Sequence, residues 1–191
     1  MAANAGRVSE ECLCRSIVLT RKWALKKMVF VVLGTWEMPF TRPLVQIEEA
    51  VRQGLIEQPV IVQSGRTSYT SPSLNLVPFF GKQDLEQMYE QASLIICQAG
   101  VGSIMLGLRK QKKVVSIARL SKFEEHIDDH QLEILDVFAK SGAVLPWKGD
   151  GDLPEVLRRA KDFVSAGYSF SDERLSRSIL DYLDAHVEGR L

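Results

Sequence analysis

The chain has 191 residues, 46% of them hydrophobic and 25% charged, and its formal net charge at pH 7 is zero. This composition is typical of one globular domain with a sizeable core, and the neutral charge argues against a nucleic-acid partner. No apolar run approaches the roughly 18 residues of a membrane-spanning helix, and the N-terminus lacks the apolar segment of a secretory signal. The sequence therefore predicts a cytoplasmic protein.

The three cysteines fit the same reducing compartment. Cys12 and Cys14 are too close in sequence for ordinary disulfide geometry and too few to bind zinc. Cys97 lies within an apolar run and has no obvious activating base nearby in the sequence. We expect it to be a small buried hydrophobe and not a nucleophile.

Residues 1–27 differ from the rest of the chain in charge. They carry six basic and two acidic residues, a net charge of +4, which leaves −4 on the remainder. The strand pattern starts only at Met28, so we interpret residues 1–27 as a basic N-terminal extension. We expect it to be disordered, as chain termini often are. The alternative is that residues 17–25, which have some amphipathic character, bind an anionic membrane surface.

Short apolar strands alternate with amphipathic helices from Met28 onward. The strands are predicted over residues 29–33, 60–63, 74–80, 94–97, 114–117 and 143–145. The helices are predicted over residues 44–51, 85–91, 103–110 and 127–140, from Asp152 onward, and over 172–186, with Asp84 and Ser103 as N-caps of the second and third. Six strands separated by helices predict an α/β fold over residues 28–191. The expected architecture is a Rossmann-like open parallel sheet with helices on both faces.

Polar or glycine-rich loops follow four of the predicted strands. They cover residues 34–37, 64–66, 98–103 and 119–131. The carboxyl ends of parallel strands meet at one edge of a sheet, and ligands of open α/β sheets bind at that edge. We therefore expect the four loops to form one shared site.

The loop after the fourth strand contains Gly100 and Gly102 and leads into a helix at Ser103. Glycines let a ligand approach the backbone closely, and the free N–H groups and positive dipole end of a helix attract phosphate. The third glycine of the G-x-G-x-x-G dinucleotide fingerprint is missing. The loop therefore predicts a phosphate site without the dinucleotide fingerprint.

Residues 124–131, EEHIDDHQ, place carboxylates, imidazoles and an amide after the fifth strand. Such side chains bind hydroxyl groups, and beside a phosphate site they indicate a nucleotide sugar. A metal site is one alternative, because His126 and His130 are four residues apart with Asp129 between them. The H-E-x-x-H order and a second acidic helix are absent from the sequence, so we expect no metal. Asp128 or Asp129 also suits the N-cap of the following helix.

Segments in this order resemble a known family: VFVVLGT at 29–35, VIVQSG at 60–65, ICQAGVGSI at 96–104 and EEHIDDHQLE at 124–133. They are similar to the C-terminal domain of family-28 glycosyltransferases, and most similar to stand-alone subunits of bacterial exopolysaccharide glycosyltransferases. The eukaryotic counterpart of those subunits is the cytosolic subunit of the dolichol-linked N-acetylglucosaminyltransferase. The resemblance covers about residues 28–146 and implies the UDP-sugar-binding half of a GT-B enzyme.

The resemblance also implies a partner. The acceptor-binding half of a GT-B enzyme is of domain size, and 191 residues do not hold both halves. We expect a separate membrane-associated subunit that presents a lipid-linked saccharide and holds this chain at the inner face of the cell membrane. The implied activity is an inverting transfer of a hexose or uronic acid from UDP, without a metal or other cofactor. The alternative is a non-catalytic sugar-nucleotide-binding or regulatory subunit, and an epimerase of GT-B type is a weaker one.

Carried onto this sequence, the resemblance suggests roles for individual residues. The diphosphate is assigned to Thr35, Gln98, Gly100, Val101, Gly102 and Ser103. The ribose and sugar hydroxyls are assigned to Arg119, Glu125, His126, Asp129, His130 and Gln131. Glu37 is the candidate general base, unless the partner supplies one. The family usually has histidine at the position of Gln98, which hydrogen-bonds a phosphate or ribose but cannot become a cation.

Overall fold

The computed structural model describes residues 28–149 and 151–166. Six parallel strands form one sheet in the order β3-β2-β1-β4-β5-β6. The strands are β1 (Met28–Val32), β2 (Val60–Gln63), β3 (Leu74–Val77), β4 (Ala92–Gln98), β5 (Val114–Ile117) and β6 (Leu145–Trp147). The helices are α1 (Arg42–Arg52), α2 (Lys82–Gln91), α3 (Val101–Arg109), α4 (His130–Lys140) and α5 (Leu153–Asp162), with a 3-10 turn at Ser121–Phe123.

The strand order reverses at the centre of the sheet. β1 pairs with β2 on one side and with β4 on the other, so that Val31 lies opposite both Val62 and Ile96. Chain connections leave this point in opposite directions, which opens a crevice at the carboxyl ends of β1 and β4. The order is that of a doubly wound Rossmann sheet and confirms the predicted fold class.

Helices cover both faces of the sheet, and β1 shows how the sequence separates them. Phe30 and Val32 belong to one buried core together with residues of α2, α3 and α4. Val29 and Val31 point to the other face, where they join residues of α1 and α5 in a second core. Side chains alternate across a strand, so a continuous apolar run such as β1 feeds both layers.

The predicted starts of α2 and α3 are wrong by three and two residues, respectively. α3 begins at Val101 with Gly100 as its N-cap, so Ser103 lies within the first turn and does not cap the helix. α2 begins at Lys82 after Gly81, which places Asp84 in the first turn. A carboxylate there still interacts favourably with the helix dipole. In both cases an extended glycine precedes the helix and no side chain caps it.

α4 begins at His130 and not at residue 127. The preceding residues make hydrogen bonds of their own, described below, and these hold them out of the helix. β6 covers Leu145–Trp147, whereas residues 143–145 were predicted. The reason is that Gly142, at φ +72°, and Ala143, whose N–H bonds the Phe138 carbonyl, still complete the end of α4.

β3 lies at an edge of the sheet and ends at Val77, before Pro78, whereas the strand was predicted to extend to residue 80. α3 packs closely on the sheet farther along: a Cβ added to Gly107 would lie 2.7 Å from Cγ2 of Val114 on β5.

Residues 1–27, with Cys12 and Cys14, and the predicted helix 172–186 lie outside the described residues. Among the residues described, no helix is both long and apolar enough to cross a membrane.

Gly65→Ala should lower the free energy of unfolding by about 3 kcal/mol. Gly65 has φ +59°, and a Cβ there would lie 2.2 Å from the Gly34 carbonyl oxygen, a main-chain atom that cannot rotate away. Gly54→Ala is the matched control. Gly54 has φ +72° but nothing within 4 Å of the added Cβ, so only the backbone strain of about 1 kcal/mol should appear. Urea unfolding measures both losses, and equal losses would contradict the close packing at Gly65.

Candidate functional site

The loops after β1, β2 and β4 interlock at the central crevice. Gly34 has φ +78°, and a Cβ there would lie 2.0 Å from Nε2 of Gln98, the last residue of β4. The Gly34 carbonyl in turn occupies the space that a side chain at Gly65 would need. The glycines therefore permit a close approach that any larger residue would prevent.

α3 presents its N-terminus beside this crevice. The N–H groups of Val101, Gly102 and Ser103 belong to the first turn, where no earlier helical carbonyl is available to accept them. A Cβ added to Gly102 meets nothing within 4 Å, so space is open in front of these groups. We refer to residues 34–37 together with the first turn of α3 (101–103) as the α3 ledge.

Arg119 lies beneath the ledge and is only 1% exposed. Its guanidinium donates to Gln98 Oε1 (2.7 Å) and to the carbonyl oxygens of Met38 (2.7 Å), Glu125 (3.0 Å) and Leu33 (2.9 Å). One buried side chain thus joins the ends of β1 and β4 to the loop after β5. Arg119 was predicted to bind the nucleotide or sugar. The structure places it as the residue that holds the loops together, and a direct ligand contact stays a prediction.

Burial lowers the pKa of Arg119 to about 10, and the negative charge of Glu125 opposes that shift. The side chain is therefore still a cation at neutral pH. It also lies 4.6 Å from the centre of the Phe40 ring, which supplies a cation–π contact in place of water.

Glu125 is buried and pairs with Arg42 at the start of α1. Arg42 Nε and Nη2 donate to the two carboxylate oxygens at 2.9 and 2.7 Å, and Nη2 also reaches the Ala118 carbonyl at 2.8 Å. Glu125 Oε2 also accepts the Leu120 N–H at 3.0 Å. Arg42 was not among the site residues predicted from the sequence. One clue was available, because a basic residue at the start of a helix opposes the helix dipole and calls for an acidic partner.

Gln131, in the first turn of α4, is buried as well. Its Oε1 accepts the main-chain N–H of Arg119 at 3.0 Å. The amide that was predicted to contact sugar hydroxyls therefore also fixes the backbone at Arg119. Glu125 and Gln131 anchor the two ends of the segment between them, residues 126–130, which we call the histidine loop.

The histidine loop brings both imidazoles to one carboxylate. Asp128 Oδ1 lies 3.0 Å from His126 Nδ1 and is hydrogen-bonded to His130 Nδ1. The His126 ring stacks on Trp36 of the α3 ledge, with centroids 4.6 Å apart and planes 26° apart. Burial acts to raise the pKa of Asp128, but the hydrogen bonds from His130, together with charge interactions with His130 and His126, lower it overall.

Asp129, the N-cap residue of α4, is not part of the cluster that Asp128 forms with the two histidines. Its side chain makes no capping hydrogen bond. Instead, Asp129 Oδ1 accepts the Ser121 N–H at 2.7 Å, which ties the histidine loop to the 3-10 turn. Asp128 accepts the His130 N–H at 3.3 Å and so satisfies one N–H at the start of α4.

Residues 28–161 match the model of the glycosyltransferase family 28 C-terminal domain. The chain belongs to this family. No curated protein matches it by sequence at a significant level.

Several solved structures share the fold of this family 28 domain, and their low sequence identities support a similarity of fold only. The glycotransferase of kitacinnamycin aligns with a TM-score of 0.54 and 19% identity, over 81% of this chain and 38% of its own. The solution structure of ALG13 aligns with a TM-score of 0.50 and 18% identity, over 81% and 95%. The UDP-GlcNAc 2-epimerase of Methanocaldococcus jannaschii, solved with UDP-GlcNAc and UDP, gives 0.53 and 11%, over 90% and 48%. The chain thus spans less than half of the first and third proteins.

The remaining predicted residues of the family 28 domain lie on or near the ledge. Thr35 and Glu37 are exposed in the loop after β1, so the role of Glu37 as a base stays a prediction.

Cys97 is buried next to Gln98, and burial raises the pKa of its thiol to about 12. The prediction that Cys97 is a buried hydrophobe is confirmed, because a protonated, inaccessible thiol is no nucleophile.

In the part of the chain that the structure describes, residues 35–37 and Gly102 of the α3 ledge are exposed. Two surface grooves, of about 750 and 340 Å³, lie elsewhere: one beside α1, and one around Val29 and Leu94 near the amino end of the sheet. Neither groove includes a residue of the α3 ledge, which among the described residues is a surface and not part of these grooves.

Arg119→Met should destabilise the fold by about 3 kcal/mol, because it leaves several buried carbonyl oxygens without a donor. Arg119→Lys should recover only part of this loss, since an ammonium cannot reproduce the planar fork. Arg158→Met is the control: Arg158 forms an exposed ion pair on α5, so its loss should stay within about 0.5 kcal/mol. Chemical denaturation measures all three variants. A fully stable Arg119→Met protein would show that Arg119 does not organise the site.

Proposed function

We propose that this chain is the donor-binding catalytic subunit of an inverting UDP-sugar glycosyltransferase that acts on a lipid-linked saccharide in exopolysaccharide biosynthesis. The observation that carries the proposal is the open first turn of α3 at the reversal point of a family 28 sheet. Its free N–H groups and positive dipole end suit an anion with several oxygens. A nucleotide diphosphate is such an anion.

In this proposal the diphosphate lies against Gly100, Val101, Gly102 and Ser103. Thr35 approaches it from the loop after β1, and Gln98 supports the ledge from below. The N–H groups stabilise the charge that develops on the leaving UDP, so no metal or other cofactor is needed for the transfer.

We assign the binding of the ribose and sugar hydroxyls to the loop after β5. Glu125 and Gln131 bond other parts of the domain, and we assign them the positioning of this loop. His126, Asp129 and His130 are then the hydroxyl-binding side chains, beside the Trp36 ring. Imidazole and carboxylate groups accept and donate hydrogen bonds as such contacts require.

The chemical step is a single displacement. An acceptor hydroxyl attacks the anomeric carbon, the bond from that carbon to the diphosphate oxygen breaks, and the configuration inverts. The hydroxyl proton passes to a general base, for which Glu37 is the candidate on this chain. The partner is the other source of that base.

An apolar rim supports a protein partner. Four exposed side chains surround the carboxyl edge, and they are Trp36 (39%), Phe79 (53%), Phe123 (45%) and Ile127 (62%). Apolar groups at the mouth of a one-sided site fit a second protein wall better than free solvent. We infer a membrane-associated, acceptor-binding subunit that places this chain at the inner face of the cell membrane.

The exposure of Glu37 favours a second candidate function, a non-catalytic sugar-nucleotide-binding or regulatory subunit. A solvated carboxylate on a loop is weakly positioned for proton transfer. Both functions include UDP binding. Product formation from a UDP-sugar and a lipid-linked acceptor, when the chain and its partner are combined, distinguishes the first from the second.

Gly102→Asp should weaken UDP binding at least 100-fold, because its side chain fills the ledge and its charge repels the diphosphate. Gly102→Asn, of nearly equal size and without the charge, should lose about tenfold and separates the two effects. Both variants should fold, since a Cβ at this position meets no protein atom within 4 Å. Calorimetry of UDP, repeated in chelator, measures the affinities. Unchanged UDP binding in Gly102→Asp, or binding that vanishes in chelator, would contradict the ledge as a metal-free diphosphate site.

Phe79→Asp should abolish transfer by the assembled enzyme while UDP affinity changes less than about twofold. A charge on the rim opposes burial against a second wall. Val45→Asp is the control, because Val45 is equally exposed but lies on α1 beside the 750 Å³ groove. Pull-down of the partner and a lipid-linked acceptor assay measure the outcome. Robust turnover by the purified chain alone would exclude the requirement for a partner.

A further inference from the structure

We propose that His126, Asp128 and His130 form a binding site for a transition-metal ion of the zinc class. The site lies in the histidine loop and borders the α3 ledge, whose Trp36 ring stacks on His126. It goes beyond the proposed function, whose transfer step uses no metal.

The geometry brings three ligand atoms together. One nitrogen of each histidine and one Asp128 oxygen all lie within 4.8 Å of one another. In a tetrahedral zinc site, with bonds near 2.1 Å, neighbouring ligand atoms are about 3.3 Å apart. His126 Nδ1 and Asp128 Oδ1, at 3.0 Å, already have nearly this spacing. The third ligand atom, His130 Nδ1, is hydrogen-bonded to the same Asp128 oxygen.

The donor set selects the kind of ion. Two imidazoles and one carboxylate suit zinc and its neighbours in the first transition series, whereas Mg²⁺ and Ca²⁺ prefer sites made of oxygen alone. Three protein ligands leave one tetrahedral position for water. His130 keeps a third of its side chain exposed, so the cluster is reachable from solvent.

Contacts around the cluster hold its ligands in place. The Trp36 ring stacks on His126, and the Asp129–Ser121 hydrogen bond fixes the loop on its other side. Support of this kind orients metal ligands before the ion arrives. The loop is also anchored at both ends, by Glu125 on Arg42 and by Gln131 on Arg119.

A bound ion would therefore cross-link the part of the loop that lies between two fixed points. Ligands that bind only the folded state stabilise it by mass action. The ion raises the stability of the domain. It takes one nitrogen of His126 and one of His130, and so fixes the orientation of the two imidazoles whose other nitrogens we assign to sugar hydroxyls.

The test uses the full chain, stripped with chelator and titrated with Zn²⁺ by calorimetry. We expect one ion per chain, with affinity at least tenfold weaker in Asp128→Asn and in His130→Gln. Asp136→Asn on the exposed face of α4 and His186→Gln, which changes the remaining histidine of the chain, are matched controls that should stay within about twofold. Cys12→Ser/Cys14→Ser, which removes competing thiols, should also keep the site. Mg²⁺ should not compete.

Co²⁺ gives a second measurement that needs no ligand variant. Bound Co²⁺ should quench the fluorescence of Trp36, which stacks directly on His126, and Trp36→Phe should remove that quenching while Co²⁺ binding persists. Thermal unfolding should shift upward with Zn²⁺ in the wild type and not in Asp128→Asn.

The proposal is overturned if the folded wild type binds no Zn²⁺, or if both ligand variants bind it as well as the wild type. Quenching that persists in Trp36→Phe would place the ion elsewhere and overturns it too. UDP titration in chelator is independent of the ion. Loss of the metal site with UDP binding intact therefore leaves the proposed function standing, and the reverse result leaves the metal site standing.

Discussion

The site depends on one buried cation. Arg119 donates hydrogen bonds to three main-chain carbonyls and one side-chain amide. These bonds connect the loops beyond the strand ends, where the hydrogen bonds of the sheet no longer join them. Burying a guanidinium is costly unless its donors are satisfied, and burying carbonyl oxygens is costly unless they find donors. Here the buried carbonyl oxygens accept the guanidinium N–H groups, so that both the donors and the acceptors are satisfied. The loops consequently hold one geometry instead of many.

The same interaction explains why glutamine suits position 98. Its Oε1 accepts from the Arg119 guanidinium at 2.7 Å, while the rest of the amide fits against Gly34 and Gly100. A protonated imidazole at this position would place a second cation beside a buried one and would offer it no acceptor. Position 98 therefore serves the scaffold first, and the N–H groups of α3 are left as the anion-binding element.

The sequence predicted what depends on local pattern. Apolar runs and glycine turns placed the sheet, its helices and the ledge, because strand and helix periodicity act over a few residues. The Arg42–Glu125 pair joins residues 83 positions apart, and no local pattern reveals it. The choice of Asp128 over Asp129 as partner of the histidines follows from the Ser121 hydrogen bond, which is a product of the folded loop. The starts of α2 and α3 were missed because glycine, and not a capping side chain, precedes each of these helices.

The close contact between Gly107 and the sheet sets the position of the whole α3 helix. The helix has nine residues, and Gly107 lies roughly 7 Å along its axis from Gly102. Because the helix is stiff and Val114 leaves no room beneath Gly107, the height of α3 above the sheet is set at that point. A single methyl group there would tilt the whole rod and displace its N-terminal amides. The position of the α3 ledge therefore depends on Gly107, near the other end of the helix, having a hydrogen atom where other residues have a Cβ.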